Sequence, residues 1–535
     1  MSLNHWKIFL QLKDHISKLT NDKTMQINFS KDLVNVLQKL PPSYYTKELI
    51  KLFETQTNPP KEQKENEAKE SSSNYIPTVI KGIKDKIGVA KEEKPKIIIP
   101  KWKQQSSSIQ ASVFNKTRHI ILSIQLSDSE HSIQHLIRSL LDHIEEYPEA
   151  RGKAVKLGAI RLFLRLRKTT TNESMLESIH EGLSSLGYAN PVPKKGIRIL
   201  AIDGGGIRGL LVIEMIKKLE ELTGKRVHEL FDFFCGVSTG SILAYSMAIH
   251  HRPLESISEQ YECISKEVFQ QSALWGTGNL VWTHSYYETA LWEQKLKDHL
   301  GDHKLIDSAR NPNCPKICTV SAVVNQTRLS AYLFRNYSLP WRYHSEYLGS
   351  SHHEVWQAAR ASSAAPTYFD EFKLGNLIHQ DGGILVNNPT AIALHEVKLL
   401  WPDTPIQCIV SFGTGRSVLS TSDFITAPQS ANTTSWANKF YKILDSATDT
   451  EAVHTILNDL LPPNIYYRFN PYLTEMISMV ETDSKKLQQL KRDALMYLRR
   501  NEDKFQEAAC ALTMEKSYMQ KLKDYINLQR DIHGI

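Results

Sequence analysis

The chain has 535 residues, of which 41% are hydrophobic and 23% are charged. This composition is ordinary for globular proteins and excludes a wholly disordered chain and a collagen. The length is enough for about three to four domains. No run of 18 apolar residues occurs, so the sequence predicts no membrane-spanning helix. Any membrane contact is therefore expected to be peripheral.

The net charge of +7 resides in the first 110 residues, which contain 19 Lys, no Arg and 12 acidic residues. A Lys-rich arm suits an anionic membrane or a nucleic acid, and a solvated tail is the simpler alternative. We expect no nucleic-acid partner. The N-terminus shows no cleavable secretory signal and lacks the Arg residues typical of a mitochondrial transit peptide.

Composition and hydrophobic spacing predict five segments along the chain. They are an N-terminal helical segment (1–58), a low-complexity Lys-rich linker (59–130), a small helical, repeat-like module (131–190), an α/β domain (196–416) and a C-terminal helical extension (417–535). Within the linker, residues 91–103 place five Lys around three Ile and Trp102. That pattern suits either a lipid surface or a flexible arm.

Short apolar strands alternate with amphipathic helices from Gly196 onward. The predicted strands are 196–202, 231–235, 317–324, 331–334, 377–379 and 408–412. This alternation predicts an α/β fold with a mostly parallel sheet flanked by helices. Active sites in such sheets gather at the carboxyl ends of the strands.

The first motif is Asp-Gly-Gly-Gly-Ile-Arg-Gly over residues 203–209, between a strand and a helix. Consecutive glycines let several backbone N–H groups point at one anion, either a phosphate or the oxyanion of an acyl-transfer intermediate. Gly204, Gly206 and Gly209 also match the dinucleotide-binding fingerprint, which requires an acidic residue at the end of the next strand. Asp232 is at a suitable distance, but it lies at the start of that strand.

The second motif is Gly236-Val-Ser238-Thr-Gly240, which follows the next strand and precedes a helix. Gly-x-Ser-x-Gly in this context predicts a nucleophile elbow, in which a sharp turn exposes the serine hydroxyl group. An ordinary glycine-rich turn is the alternative. Ser238 is therefore the candidate nucleophile.

A serine nucleophile needs a base, and the histidines are poorly placed for that role. The histidines considered are His250, His251, His352, His353 and His379. Asp381 is the better candidate, because Asp381-Gly382-Gly383 follows an apolar strand directly. A buried carboxylate with a raised pKa can accept the proton of the serine hydroxyl group itself.

These three motifs, in this order, resemble the patatin-like phospholipase family over about residues 196–416. Residues 361–366 and 411–415 also resemble segments of that family. The resemblance implies a Ser–Asp dyad with Ser238 as nucleophile and Asp381 as base. It also implies an oxyanion hole in the loop of Gly204, Gly205, Gly206, Arg208 and Gly209, with Arg208 either bracing the loop or approaching a phosphate.

The resemblance implies a serine acyl hydrolase, of phospholipase A2 or A1 type, acting on glycerophospholipids at a membrane surface. No metal-ligand cluster or acidic calcium loop is visible, so we expect no metal, no organic cofactor and no calcium requirement. The alternatives are a triacylglycerol or lysophospholipid lipase with the same dyad, a non-catalytic membrane scaffold, and a dinucleotide-dependent enzyme. The family resemblance suggests a mitochondrial, endoplasmic reticulum or peroxisomal membrane, although the chain ends in His-Gly-Ile rather than in the peroxisomal Ser-Lys-Leu signal.

Overall fold

A computed structural model describes residues 101–270, 287–416, 450–475 and 477–533, with side chains from residue 110 onward. The predicted helical segment over 1–58 and most of the predicted linker lie outside these residues. The helices are α1 (Lys101–Leu126), α2 (Glu130–Glu146), α3 (Glu149–Lys156), α4 (Ala159–Thr169), α5 (Glu173–Ser185), α6 (Gly209–Thr223), α7 (Val227–Leu230), α8 (Thr239–Ala248), α9 (Leu254–Phe269), α10 (Thr289–Leu300), α11 (Val355–Ser362), α12 (Thr390–Leu400), α13 (Thr450–Leu460), α14 (Ser484–Arg500), α15 (Glu502–Thr513) and α16 (Tyr518–His533). The strands are β1 (Ile197–Ile202), β2 (Phe233–Val237), β3 (Lys316–Val323), β4 (Ser330–Arg335), β5 (Leu348–Ser350), β6 (Phe372–Leu374), β7 (Leu377–Asp381), β8 (Ile406–Phe412) and β9 (Tyr466–Phe469).

The strands form one mixed sheet in the order β5-β4-β3-β2-β1-β8-β9, with β7 on β3 and β6 on β7. The central pairs from β3 across to β9 are parallel, whereas β4 and β7 run antiparallel to β3. Every residue of β1 and β2 is buried, because helices cover both faces of the sheet. The predicted α/β class with a mostly parallel, helix-flanked sheet is confirmed.

Arg198 is the one charged residue inside β1, and its surroundings explain why it is tolerated there. Its guanidinium group pairs with the Asp232 carboxylate at 2.7 Å, and both side chains are buried. A buried charge is tolerated when a partner of opposite sign and hydrogen bonds satisfy it. Asp232, which directly precedes β2, therefore has a structural role: its carboxylate neutralises the buried Arg198.

Strand register brings two of the predicted motifs together across β3. Val237 at the end of β2 is opposite Val320, and Asp381 at the end of β7 is opposite the next residue, Ser321. Because β2 and β7 meet β3 at consecutive positions, Ser238, which follows β2, lies next to Asp381. The topology thus joins residues that are far apart in sequence.

Helices α1 to α5, which precede the sheet in sequence, pack around a hydrophobic core of their own. Its buried residues are Val113, Ile120, Ile121, Ile124, Ile133, Ile137, Leu140, Ile144, Ala150, Ala154, Ala159, Phe163, Leu164, Met175, Ile179, Leu183 and Leu186. The C-terminal helix α16 joins this cluster through Ile532, whose carbonyl oxygen accepts a hydrogen bond of 3.0 Å from Arg165 Nε. Helices α2 to α5 occupy the segment that the sequence predicts as a helical module (131–190).

Two of the predicted segments contain secondary structure that the sequence did not predict. Residues 101–126, within the predicted linker, form one helix whose second half buries a single stripe of side chains against α2 and α3. The predicted C-terminal extension contributes β9, which pairs with β8 in the main sheet. In both cases tertiary packing fixed the structure, because neither segment has a strong local pattern. The five-part division of the chain stays a prediction.

The C-terminal helix α14 buries most of one leucine stripe. Leu487, Leu490 and Leu498 of α14 are buried, whereas Leu495 is exposed.

A search of the described residues finds no helix with the length and hydropathy needed to span a membrane.

Candidate active site

Ser238 occupies a strained turn between β2 and α8. Its backbone angles, φ 53° and ψ −120°, lie in a region that residues with a side chain rarely adopt. Gly236 lies in β2 and Gly240 in the first turn of α8. A Cβ atom on Gly240 would lie 2.3 Å from the carbonyl oxygen of Ile202, so only glycine lets α8 begin this close to β1. The predicted elbow therefore has the geometry that exposes a serine side chain.

Asp381 ends β7 beside this elbow, and its side chain is 6% exposed. Burial raises the pKa of Asp381 to about 6, while hydrogen bonds from the Ser238 hydroxyl group and the Gly383 N–H limit that rise. The Gly383 N–H donates to Asp381 Oδ1 at 2.7 Å, in the 3-10 turn formed by residues Gly382–Ile384. The carboxylate is thus held toward Ser238 and is a stronger base than a solvated aspartate.

The glycine loop is held from both sides by side chains. The Gly204 N–H donates to Asn387 Oδ1 at 3.0 Å, and Thr414 Oγ1 donates to the Gly204 carbonyl oxygen at 2.7 Å. Thr239, beside the nucleophile, donates to the Gly206 carbonyl oxygen at 2.8 Å. These bonds fix the carbonyl groups of the loop and so determine where its N–H groups point.

The N–H groups of Gly205 and Gly206 donate no hydrogen bond to any of the described residues. Gly206 has a φ of +59°, and both residues line the same cavity as Ser238. A Cβ atom on the preceding Gly204 would lie 3.1 Å from Ser238 Cβ, which shows how closely the loop approaches the nucleophile. Two unpaired donors beside a serine hydroxyl group are the arrangement that stabilises an oxyanion.

Arg208 and Gly209 complete the predicted loop. Arg208 Nε donates to the Gly205 carbonyl oxygen at 3.4 Å, and its side chain also borders the cavity. Both predicted roles of Arg208, bracing the loop and approaching a phosphate, therefore stay open. Gly209 begins α6, where a Cβ atom would lie 3.1 Å from Thr239 Cγ2.

A buried ion pair anchors the start of the loop. Arg468 of β9 donates to both carboxylate oxygens of Asp203 at 2.6 and 2.9 Å, and each side chain is 2% exposed. Burial raises the pKa of Asp203 to about 6, and the guanidinium group opposes that rise. Sequence reasoning missed Arg468, because nothing in the sequence around β9 points to the glycine loop.

The cavity in front of Ser238 has a volume of about 430 Å³. Its apolar walls come from α8, α9, α10 and the segments around residues 368 and 477. The apolar lining residues are Ile242, Ile264, Phe269, Trp292, Leu296, Tyr368, Phe369, Ile477, Met479 and Val480. An apolar cavity of this size with a few convergent polar groups is typical of a binding site for an apolar ligand.

The histidines considered from the sequence do not line this cavity. His379 is buried in β7, where its Nδ1 is 2.8 Å from the Ser321 hydroxyl oxygen, and burial lowers its pKa to about 4. His299, which sequence reasoning did not consider, does line the cavity, but it interacts with Arg252 and Ser246. Among the described residues, no group of His, Cys, Asp and Glu has the arrangement of a metal site.

Comparison with known proteins agrees with these observations. The family model described as patatin-like phospholipase matches residues 200–394. The human calcium-independent phospholipase A2-gamma is 44% identical over 423 residues, which is 79% of this chain and 53% of that protein. The mouse protein of the same name is 39% identical over 98% of this chain and 66% of its own length. The chain thus spans between half and two thirds of the length of these two relatives.

Among solved structures, human GIVD cytosolic phospholipase A2 aligns over 66% of this chain and 64% of its own, with 13% identity and a TM-score of 0.32.

Proposed function

This chain belongs to the patatin-like phospholipase family, and from that premise we propose that it is a calcium-independent serine acyl hydrolase. The proposed reaction releases fatty acids from membrane glycerophospholipids. One observation carries the proposal: Ser238, in a strained elbow, faces the buried Asp381 carboxylate beside the unpaired N–H groups of Gly205 and Gly206. These are a nucleophile, a base and an oxyanion site in one cavity.

In the acylation step, the Asp381 carboxylate accepts the proton of the Ser238 hydroxyl group as Oγ attacks the ester carbonyl carbon. The carbonyl oxygen becomes an oxyanion, which the Gly205 and Gly206 N–H groups stabilise by about 3 kcal/mol per donor. When the C–O bond breaks, the lysophospholipid alkoxide takes the proton from Asp381. The acyl group then remains on Ser238 as an ester.

In the deacylation step, Asp381 accepts a proton from water, whose oxygen attacks the acyl-serine carbonyl carbon. The same two N–H groups stabilise the second oxyanion. Collapse of this intermediate releases the fatty acid, and Ser238 recovers its proton from Asp381. The cycle uses one water molecule and leaves the enzyme unchanged.

The apolar cavity suits an acyl chain, and the aromatic side chains of Trp292 and Phe369, whose ring centroids are 5.6 Å apart, give it a rigid wall. Burial of each methylene group contributes about 0.8 kcal/mol, so a long acyl chain supplies most of the binding free energy. A peripheral encounter with an intracellular membrane surface would deliver such a substrate. Dinucleotide binding by the glycine loop is disfavoured, because Asp232, the acidic residue that this function would require, is paired with Arg198.

The test measures fatty-acid release from mixed-chain phosphatidylcholine vesicles in the presence of a calcium chelator. Wild type, Ser238→Ala and Asp381→Asn are compared, and Ser308→Ala serves as a control because Ser308 is a buried serine outside the cavity. We expect turnover in wild type and in Ser308→Ala, and its loss in the other two variants.

Parallel assays with triacylglycerol and lysophospholipid distinguish the neutral-lipid and lysolipid alternatives. Turnover that survives Ser238→Ala would show that the proposed nucleophile is wrong. Binding of vesicles without turnover of any of the three lipids would favour a non-catalytic scaffold.

A further inference from the structure

A second cavity, of about 520 Å³, lies where α13, β9 and α14 meet. None of its lining residues is shared with the cavity at Ser238. Four of its lining side chains are cationic: Arg416, Arg468, Arg500 and Lys504. Its two acidic side chains, Glu451 and Asp493, together with the buried Asp203 that pairs with Arg468 from outside the lining, balance three of these four charges. The cavity therefore has an excess of positive charge that the acyl-hydrolase mechanism does not use.

Several buried polar atoms around this cavity have no hydrogen-bond partner among the described residues. They are Arg416 Nε, Arg468 Nε and His454 Nδ1, all in its lining. The Arg468 side chain is 2% exposed. Burying a polar atom without a partner destabilises a fold, so several such atoms in one place indicate that a ligand or ordered water completes their hydrogen bonds.

The titrating groups of the cavity respond to the same positive charge. Burial lowers the pKa of Lys504, and the charges of Arg416 and Arg468 lower it further. Burial also lowers the pKa of His454, again with contributions from Arg468, Lys504 and Arg416, while Glu451 acts in the opposite direction. An anion in this cavity would relieve that repulsion.

We propose that this cavity is a second, non-catalytic site that binds a phosphate-bearing anion through Arg416, Arg468 and Arg500. Guanidinium groups favour phosphate because their N–H groups match its oxygen atoms in pairs. Water alone would satisfy the unpaired donors but would leave the excess charge uncompensated. The phosphate group belongs either to a free soluble phosphate or to a lipid headgroup, and these two sources share the same chemistry.

The site is connected to the catalytic loop by Arg468. The two terminal nitrogens of its guanidinium group donate to Asp203, which directly precedes Gly204. Arg468 Nε has no partner among the described residues. Asn470, another lining residue, accepts a hydrogen bond from the Gly415 N–H at 2.9 Å, next to the residue that holds the Gly204 carbonyl oxygen. Binding of an anion is therefore expected to stiffen the oxyanion loop.

The first arm of the test titrates the full chain with inorganic phosphate in a calorimeter at constant ionic strength. The variants are Arg416→Gln and Arg500→Gln. Arg499→Gln is the matched control, because Arg499 is an exposed neighbour on the same helix that does not line the cavity. We expect Kd to rise about tenfold in each of the first two variants and to stay unchanged in the control. Since Arg500 is exposed and makes no described ion pair, its variant is expected to fold normally.

The second arm measures sedimentation with phosphatidylcholine vesicles that contain phosphatidic acid or, at equal charge, phosphatidylglycerol. It uses the Ser238→Ala background so that the vesicles stay intact. If the source is a headgroup, binding to phosphatidic acid exceeds binding to phosphatidylglycerol, and Arg500→Gln abolishes that difference. If the source is a free phosphate, only the calorimetric arm responds to Arg500→Gln.

The proposal is overturned if Arg416→Gln and Arg500→Gln behave as Arg499→Gln does in both arms, or if phosphate shows no saturable binding up to about 10 mM and the vesicle arm is equally silent. Either result would mean that the cavity holds water only. Because no arm measures hydrolysis, failure of this proposal is distinct from failure of the proposed catalytic function.

Discussion

The backbone N–H of Ser238 donates a hydrogen bond of 2.9 Å to the hydroxyl oxygen of Ser362, and that hydroxyl group donates at 2.7 Å to the carbonyl oxygen of Val320. Ser362 is the last residue of α11, and Val320 belongs to β3. The strained elbow is therefore fastened to a helix and to the central sheet by one side chain. Strained backbone persists only where the surrounding structure holds it in this way.

Removal of this hydroxyl group should impair the elbow. We predict that Ser362→Ala lowers kcat by at least about tenfold with a smaller change in KM, because a loosened turn misplaces the nucleophile without altering the acyl cavity. The unpaired Ser238 N–H should also lower the free energy of unfolding by about 1–3 kcal/mol. Vesicle assays and urea unfolding measure the two effects.

Ser308→Ala provides the comparison, because Ser308 is also buried, donates a hydrogen bond of 2.8 Å to the Leu305 carbonyl oxygen and lies outside the cavity. It should lose stability without losing kcat. If the two variants had equal kcat values, Ser362 would be a structural residue that does not position the nucleophile.

The raised pKa of Asp381 predicts the pH dependence of the reaction. The carboxylate must be deprotonated to accept the Ser238 proton, and burial raises its pKa to about 6. Activity should therefore be lost as the pH falls through about 6, and kcat/KM should show an acidic limb there. In Asp203→Asn the limb should stay near 6, which separates Asp381 from the other buried carboxyl group whose pKa burial raises. A limb near 4 would mean that Asp381 titrates as an ordinary aspartate.

The same shift predicts that Asp381→Asn is inactive and more stable. A folded-state pKa of about 6, above the ordinary value of 3.8, means that the buried charge costs folding free energy above pH 6 and nothing below about pH 4. The cost is about 3 kcal/mol at most. Urea unfolding at pH 7.5 should show a gain of about 1–3 kcal/mol that disappears at pH 4. The exposed-site variant Asp403→Asn should show no such gain.

The main strands and the three motifs could be predicted from local sequence, because apolar runs mark the strands and glycine-rich turns mark the motifs. The run Ile-Arg-Ile-Leu-Ala-Ile forms β1, and the serine between Gly236 and Gly240 has the expected strained conformation. Asp381 was predicted from its place after an apolar strand, and the structure puts it beside Ser238. Its catalytic role stays a prediction, as does that of the glycine loop.

Long-range partners could not be predicted in the same way. Asn387 holds the Gly204 N–H, but an Asn-Asn-Pro turn carries no specific signal for that contact. Arg468 reaches Asp203 only because β9 pairs with β8, and a four-residue strand after a long gap is too short to place from periodicity. Ser362 lies in a segment that resembles the family, yet its bond to Ser238 depends on tertiary packing.

The Asp203–Arg468 pair gives a prediction about stability that the sequence alone does not offer. Arg468→Met would leave the Asp203 carboxylate buried without its two hydrogen bonds, and we expect a loss of about 3–5 kcal/mol in the free energy of unfolding. Asp203→Asn should cost less, because Arg468 keeps Glu451 at 3.5 Å. The double variant removes both buried charges, so its cost should fall below the sum of the single costs when urea unfolding is measured for all four proteins. Additive costs would instead mean that the two side chains stabilise the fold independently, and that the glycine loop does not depend on their pairing.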